Sequence, residues 1–563
     1  MAGPQNGAND ATDNAYDAIV VGAGIGGLYA LHRLRQQGMS VLGLEQAAGP
    51  GGVWFHNRYP GARVDVESID YCYYFSPELY QEWRWTERYA AQPELLAYLN
   101  HVTDRFDLRR LILFNTALKS ARWQPEAARY QVETATGQQF TCRFLVMATG
   151  NLSAARAPDF PGLKDFTGEW VQTSHWPDRH VELAGRRIAV IGTGSSGVQA
   201  IPILAAQASQ LYVFQRSPNY SVPAQNGPLD QTSYGQAAAN LAERRTALLA
   251  TRAAITSNLG TPLPFAQYSE AERTDRLERQ WALGGQGMNR VFADQGTDAS
   301  VNEAVAEFVR GKIRQIVRDQ TVAERLCPYD HPIGTRRLCV DTDYYKTYNR
   351  EHVTLVDIRA DPIERITPTG IQTREGHYEV DLIVFAIGFH AFRGALDHVD
   401  IRNEHGETPT QNWQRGPRTL LGLMTPGFPN FFFLTGPGSP SVLANLVIMN
   451  EEHVNFVAAL IAYMEANNLA TVAPEPAAQE RWSEVVAEAA AKLLRVGVEN
   501  YMVHVNRDDG TRVFMPYVGG LDRYLEICRE VAANKYPGFV FEPREPNALP
   551  AAAAHPPAPP AAA

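Results

Sequence analysis

The 563-residue sequence predicts an α/β fold: two Rossmann-like dinucleotide-binding domains with a helical insertion. Three observations predict it. An apolar strand over residues 187–191 runs into Gly192-Thr193-Gly194-Ser195-Ser196-Gly197. An earlier apolar strand over 17–21 runs into Gly22-Ala23-Gly24-Ile25-Gly26-Gly27 in the same way. From 223 to 327 the pattern turns helical, with Val305, Phe308, Val309, Ile313, Ile316 and Val317 along one face. In each Gly-rich turn the first glycine makes the bend, the second lets backbone approach a pyrophosphate, and the third packs helix on strand. The helix N-terminus attracts the anion. Two copies imply two nucleotides.

Composition narrows the class. With 45% hydrophobic and 20% charged residues the chain is an ordinary globular protein, long enough for several domains. A formal charge of −10 without any Lys/Arg block argues against a nucleic-acid partner, which needs a basic face. The five cysteines show neither Cys-x-x-Cys nor zinc-like spacing. That fits a reducing cytosol and removes the dithiol of a flavin disulfide reductase. The fourteen histidines show no metal-type clustering. There is no signal-peptide h-region and no apolar run of membrane-spanning length. The expectation is a soluble cytoplasmic protein with no metal and no membrane or nucleic-acid partner.

In chain order, a helix over 28–37 follows the first turn, and a strand over 40–45 ends in Glu45, 18 residues past Gly27. There an acid accepts a hydrogen bond from a ribose 2′-hydroxyl. In the second unit a strand over 211–217 puts Arg216 at 19 residues past Gly197. A guanidinium forks onto a 2′-phosphate. The first site is therefore assigned to FAD and the second to NADP(H). The loop 51–65 combines glycines, rings and a carboxylate, suited either to lining a flat cofactor or to ordinary packing.

A helix over 93–106 and strands over 111–114, 128–133 and 140–148 follow. Ala148-Thr149-Gly150 has the small residues of a crossover between nucleotide domains, and 166–177 reads as the linker to the second unit. Ser300 and Glu303 form a candidate capping box for the helical stripe. Strands over 353–355 and 382–385 resume the sheet, and Ala386-Ile387-Gly388 returns the chain to the first domain. The Pro/Ala-rich end lacks the apolar residues of a folded segment. The expected division is 16–150 with 388–542 for FAD, 151–222 with 328–387 for NADP, and 223–327 for the insertion. Residues 1–15 and 543–563 are expected to be disordered.

At this point the chain resembles the type I Baeyer-Villiger monooxygenases over nearly its whole length. The family signature [Ala/Gly]-Gly-x-Trp-x4-[Phe/Tyr]-Pro-[Gly/Met]-x3-Asp is met by Gly51, Gly52, Trp54, Tyr59, Pro60, Gly61 and Asp65. The runs 81–89, Gly334-Thr335-Arg336-Arg337 and 436–441 are most similar to the phenylacetone monooxygenase branch. A second signature, Phe-x-Gly-x3-His-x3-Trp-Pro, is met by Phe166, Gly168, Trp176 and Pro177, with Gln172 in place of His. Gln cannot take up a proton near neutral pH. Other departures are His56 for an aromatic, Arg336 for Lys, His390 for Asp and Tyr501 for Trp.

The resemblance implies an enzyme in which NADPH reduces FAD, O2 adds to the flavin C4a carbon, and the resulting peroxide attacks a ketone to give an ester or lactone through a tetrahedral adduct. It implies catalytic roles for Arg337, as the fixed cation, and for Asp65, as the carboxylate that orients it. Cofactor contacts fall to Gly22, Gly24, Gly27, Glu45, Gly52, Val53, Trp54, Asp65, Tyr71 and Leu446, and to Thr193, Gly194, Ser195, Ser196, Gly197, Arg216, Ser217, Arg336 and Tyr501. Leu443 and Leu446 either line the ketone pocket or pack in the core. A flavin N- or S-monooxygenase, or a redox-silent FAD/NADP-binding protein, stands as the alternative.

Overall fold

A computed structural model describes residues 14–256, 259–413, 416–506 and 510–544. The first Gly-rich strand, Ala15–Val21, lies inside an eight-stranded sheet, parallel to Val41–Leu44 on one side and Gln139–Met147 on the other. Ala18, Ile19 and Val20 are completely buried, as a strand covered on both faces requires. Leu118–Gln124 and Arg129–Thr134 extend the sheet antiparallel. Two late strands, Asp400–Arg402 and Phe431–Phe433, come back to pair with Leu118–Gln124 and Gln139–Met147.

The second Gly-rich strand, Arg187–Ile191, belongs to a five-stranded, wholly parallel sheet. Its order is Val353–Asp357, Gln210–Gln215, Arg187–Ile191, Leu382–Phe385, Glu169–Gln172. The last of these corrects the reading of 166–177 as a plain linker, for part of it is an edge strand. Four residues are too few to show a period, yet Val171 is buried against the sheet. An antiparallel unit of Ile363–Thr367, Gly370–Thr373 and His377–Glu379 also precedes Leu382 and was not anticipated.

Helices Gln231–Ala239, Leu241–Leu249, Glu270–Leu283, Ala299–Ile316 and Gln320–Leu326 fill the insertion. The chain leaves for it and returns from it through a parallel pair, Ser221–Pro223 with Cys339–Asp341. Ion pairs Arg244 with Asp70 and Arg245 with Glu452 tie the insertion to the layer around the first sheet. The expected capping box is not there. Asp298 caps Ala299–Ile316 by accepting from the Ser300 and Val301 amides, and Glu303 pairs with Arg310 instead. A carboxylate one position before the helix satisfies two orphan N–H groups at once.

The ends differ slightly from expectation. Ala15 already pairs with Thr141, and Pro543 pairs with Leu469, so order begins before 16 and persists past 542. Residues 1–13 and 545–563, expected to be disordered, lie outside the described residues.

Candidate active site

Each cradle is set by its own strand. Gly22, at φ +106°, turns the chain where an added Cβ would sit 2.6 Å from the Ala148 carbonyl oxygen, and a Cβ on Gly27 would sit 1.8 Å from the Gly22 oxygen. Gly24 precedes the helix Ile25–Gln36 and faces Gly52, which brings the 51–54 loop onto the turn. The Gly51 amide donates to the Ala23 carbonyl at 2.9 Å, fixing that approach. Val53 and Trp54 open a short helix, and the Trp54 indole donates to the Tyr71 hydroxyl at 3.2 Å. Burial pushes Tyr71 up to about 12, so it stays neutral. Glu45 is buried and accepts from the Ala23 amide at 2.7 Å and the Ala47 amide at 2.8 Å. Burial raises its pKa, and the backbone N–H groups oppose the shift. Leu446 opens the helix Leu446–Ala466, whose Asn450 lies against Gly26.

The second cradle is more open. A Cβ on Gly194 would meet nothing within 4 Å, while one on Gly197 would meet the Gly192 oxygen at 2.2 Å. Thr193 donates to the Ser217 carbonyl at 3.2 Å, and Ser195 lies 3.6 Å from the Cys339 sulfur. Arg216 is exposed at the end of its strand. Sequence reading missed Arg359, which donates to the Ser217 hydroxyl at 2.6 Å and to Asp330 at 3.0 Å. Arg336 stands 3.6 Å from the same Asp330. Burial opposes ionisation of Asp330, but His331 and the two arginines prevail and hold it down at about 2.

Between the cradles sits Arg337. Its Nε and Nη2 grip Asp65 at 2.5 and 2.6 Å, and Nη1 donates to the Val442 carbonyl at 3.0 Å. Burial works against its charge, but the carboxylate more than offsets that, so the guanidinium stays protonated. Gln286 of the insertion donates to Asp65 at 3.3 Å and to the Leu338 carbonyl at 3.1 Å. Tyr501 adjoins Arg337; burial raises its pKa, with the cation opposing. The loop bearing Asp65 is clamped to the second cradle's helix, where Gln199 accepts from the Tyr59 hydroxyl at 2.7 Å and donates to the Arg63 carbonyl at 3.1 Å. Leu443 packs with Phe392, Val442 and Met502.

Gln172 donates to the Arg156 carbonyl at 2.9 Å, a role that needs no proton uptake. His56 lies 5.0 Å from His175 between ring centroids, and burial followed by that neighbour and Arg58 lowers it to about 4. The His390 amide donates to the Ala154 carbonyl at 2.8 Å.

Two glycine cradles facing one arginine-carboxylate pair define a class: enzymes that bring a nicotinamide nucleotide to a flavin. The family model for pyridine nucleotide-disulphide oxidoreductases matches residues 16–227. The chain is 39% identical to a 2-oxo-Δ3-4,5,5-trimethylcyclopentenylacetyl-CoA monooxygenase of Pseudomonas putida, covering 94% of this chain and 99% of that one. It is 38% identical to a Baeyer-Villiger monooxygenase of Pseudooceanicola batsensis, covering 93% and 96%. It is 37% identical to a phenazine N-monooxygenase of Lysobacter antibioticus, covering 95% and 98%. Among solved structures, an oxidized steroid monooxygenase bound to NADP superimposes with a TM-score of 0.90 at 49% identity, covering 94% and 99%. A complex of OTEMO with FAD and NADP does so at 0.89 and 38%, covering 93% and 99%. The chain belongs to the Baeyer-Villiger monooxygenase family.

Proposed function

We propose that this enzyme converts ketones to esters or lactones with FAD, NADPH and O2, and that Arg337 and Asp65 carry the catalysis. The observation that supports it most is the bidentate grip of Arg337 on Asp65 between the two cradles. Three of the five guanidinium donors are occupied by Asp65 and Val442. The donor not engaged by these or by the adjoining Tyr501 hydroxyl serves an oxyanion developing on the substrate carbonyl, where a fixed cation gives most in a water-poor site. Asp65 sets the plane of the guanidinium, and Gln286 sets Asp65.

The residues fit both cofactors. The open space before Gly194 admits a pyrophosphate, and Arg216, Arg336, Arg359 and Ser217 surround the place of a 2′-phosphate. Glu45 retains lone pairs for a ribose hydroxyl, and Gly24, Gly52, Trp54 and Tyr71 form the lining beside it. FAD reduced by NADPH supplies, with O2, the oxygen inserted beside the carbonyl. Tyr501, kept neutral, lies where it can close the nicotinamide side against water. Five buried free cysteines and no helix long and apolar enough to cross a membrane, both among the described residues, support a cytoplasmic location.

The test is Arg337→Ala. The variant should keep FAD and its bleaching by NADPH, while ester formation falls at least about 100-fold. Undiminished ester formation would overturn the assignment. The phenazine N-monooxygenase relative supports a second reading, oxygenation at nitrogen, which needs no oxyanion stabilisation. An N-oxide as the main product, formed equally well by Arg337→Ala, would establish it.

A further inference from the structure

We propose that Asp330 is a positioning residue for the nicotinamide nucleotide: it holds Arg336 and Arg359 in place to receive the 2′-phosphate and so sets the preference for NADPH over NADH. The proposal rests on the reading of the second cradle as the NADPH site and adds the group that orders its cations.

A 2′-phosphate carries close to two negative charges at neutral pH, so the single exposed cation of Arg216 leaves it about half neutralised. Arg336 and Arg359 come from different segments, and what brings them to one place is Asp330. Its Oδ2 lies 3.0 Å from Nη2 of Arg359 and 3.6 Å from Nη2 of Arg336. Its Oδ1 accepts from Nδ1 of His331 at 2.6 Å. His331 is buried with its ring edge-on to Tyr220, 5.4 Å between centroids, and the Tyr220 hydroxyl donates to the Pro328 carbonyl at 2.9 Å. The carboxylate is thus fixed from the core side and turns its other oxygen to the cations.

Two hydrogen bonds tie this cluster to the glycine turn. Nη2 of Arg359 also donates to the Ser217 hydroxyl at 2.6 Å, and the Ser217 carbonyl accepts from the Thr193 hydroxyl at 3.2 Å. Each arginine meets Asp330 through Nη2, which leaves Nε and Nη1 of both forks without an acceptor among the described residues. The ion pairs do little for folding. The side chains of Asp330, Arg336 and Arg359 are 24%, 27% and 56% exposed, and pairs so open to solvent contribute little to stability. Their use is order: a free arginine gives up rotamer freedom when it grips a phosphate, and one already held has less to lose. Both Asp330 oxygens are engaged, so the phosphate meets the carboxylate only across the arginines. Three arginines less one carboxylate leave two positive charges for the dianion.

The experiment uses the FAD holoenzyme and two probes measured by calorimetry, adenosine 2′,5′-bisphosphate and 5′-AMP, with the NADPH and NADH KM values beside them. Wild type should bind the bisphosphate more tightly. Asp330→Asn keeps the size of the side chain and drops its charge. It should weaken the bisphosphate about tenfold, the cost of ordering two long side chains, and raise the NADPH KM by a similar factor. Binding of 5′-AMP and the NADH KM should not change, and Asp330→Glu should restore part of the loss. In the Asp330→Asn background, Arg359→Ala should cost much less than it does in wild type, because the arginine it removes is no longer ordered. Bisphosphate bound by Asp330→Asn as tightly as by wild type overturns the proposal, and tighter binding does so by making the carboxylate a repellent. Equal losses for both probes assign Asp330 to the fold, and strictly additive losses with Arg359→Ala separate the two residues; either overturns it while leaving the NADPH reading standing. Wild type that binds the two probes equally overturns the NADPH reading of the cradle and this proposal with it.

Discussion

The cradle after Val21 and the cradle after Ile191 use one plan, strand, glycine turn and helix, but finish it with opposite charges. In the first, Glu45 is buried with both carboxylate oxygens held by backbone N–H groups, and Gly52 closes over the turn. In the second, Arg216 is exposed, Gly194 faces open space, and Arg336 and Arg359 share Asp330 nearby. The difference is that between a resident and a visitor. A closed cradle with satisfied donors suits a group that stays, and an open cationic one suits a nucleotide that must bind and leave.

The sharpest way to break that contrast is Gly27→Ala. Its Cβ would lie 1.8 Å from the Gly22 oxygen, so backbone must move, at a cost of about 1–3 kcal/mol or more. The variant should lose FAD on gel filtration and melt several degrees lower. Gly194→Ala should do neither, since its Cβ meets no protein atom within 4 Å, yet it should raise the NADPH KM about tenfold by crowding the pyrophosphate. A variant at Gly194 that binds NADPH normally would show that the open space is not the nucleotide's.

Smaller effects sharpen the charge argument. Arg359→Ala should raise the NADPH KM roughly fivefold to tenfold with the NADH KM unchanged, the value of one exposed charge-assisted hydrogen bond. Equal rises for both nucleotides would separate Arg359 from the 2′-phosphate. The smallest effect concerns the helix behind the first cradle, where burial pushes Glu451 up to about 7 from an ordinary 4.5. The folded state then keeps a proton that the unfolded chain has released, so its contribution to stability falls as pH rises between these values. Melting temperatures measured across that window should decline for the wild type and decline less for Glu451→Gln.

The parallel strands were legible because their apolar runs and glycine turns are local. Glu45 and Arg216 were legible because the turn fixes their distance along the chain. Arg337 and Asp65 were not readable in that way; they lie 272 residues apart, and only a family resemblance joined them before the geometry did. Gln286, Gln199 and the Val442 carbonyl left no signal at all. A side-chain amide or a backbone oxygen working across 221 residues has neither period nor spacing. Arg359 was passed over for a related reason: it follows a strand end that looks like any solvated turn.

The stem Ser221–Pro223 with Cys339–Asp341 fixes both feet of the helical insertion, and Arg337 stands two residues before its return foot. Among the described residues between those feet only Gln286, through Asp65, reaches the guanidinium of Arg337, so helices of the insertion away from Gln286 can change length or sequence without moving it. The grip on Arg337 and the bulk of the insertion are thereby separately heritable parts of one chain, so the second can vary while the first is kept.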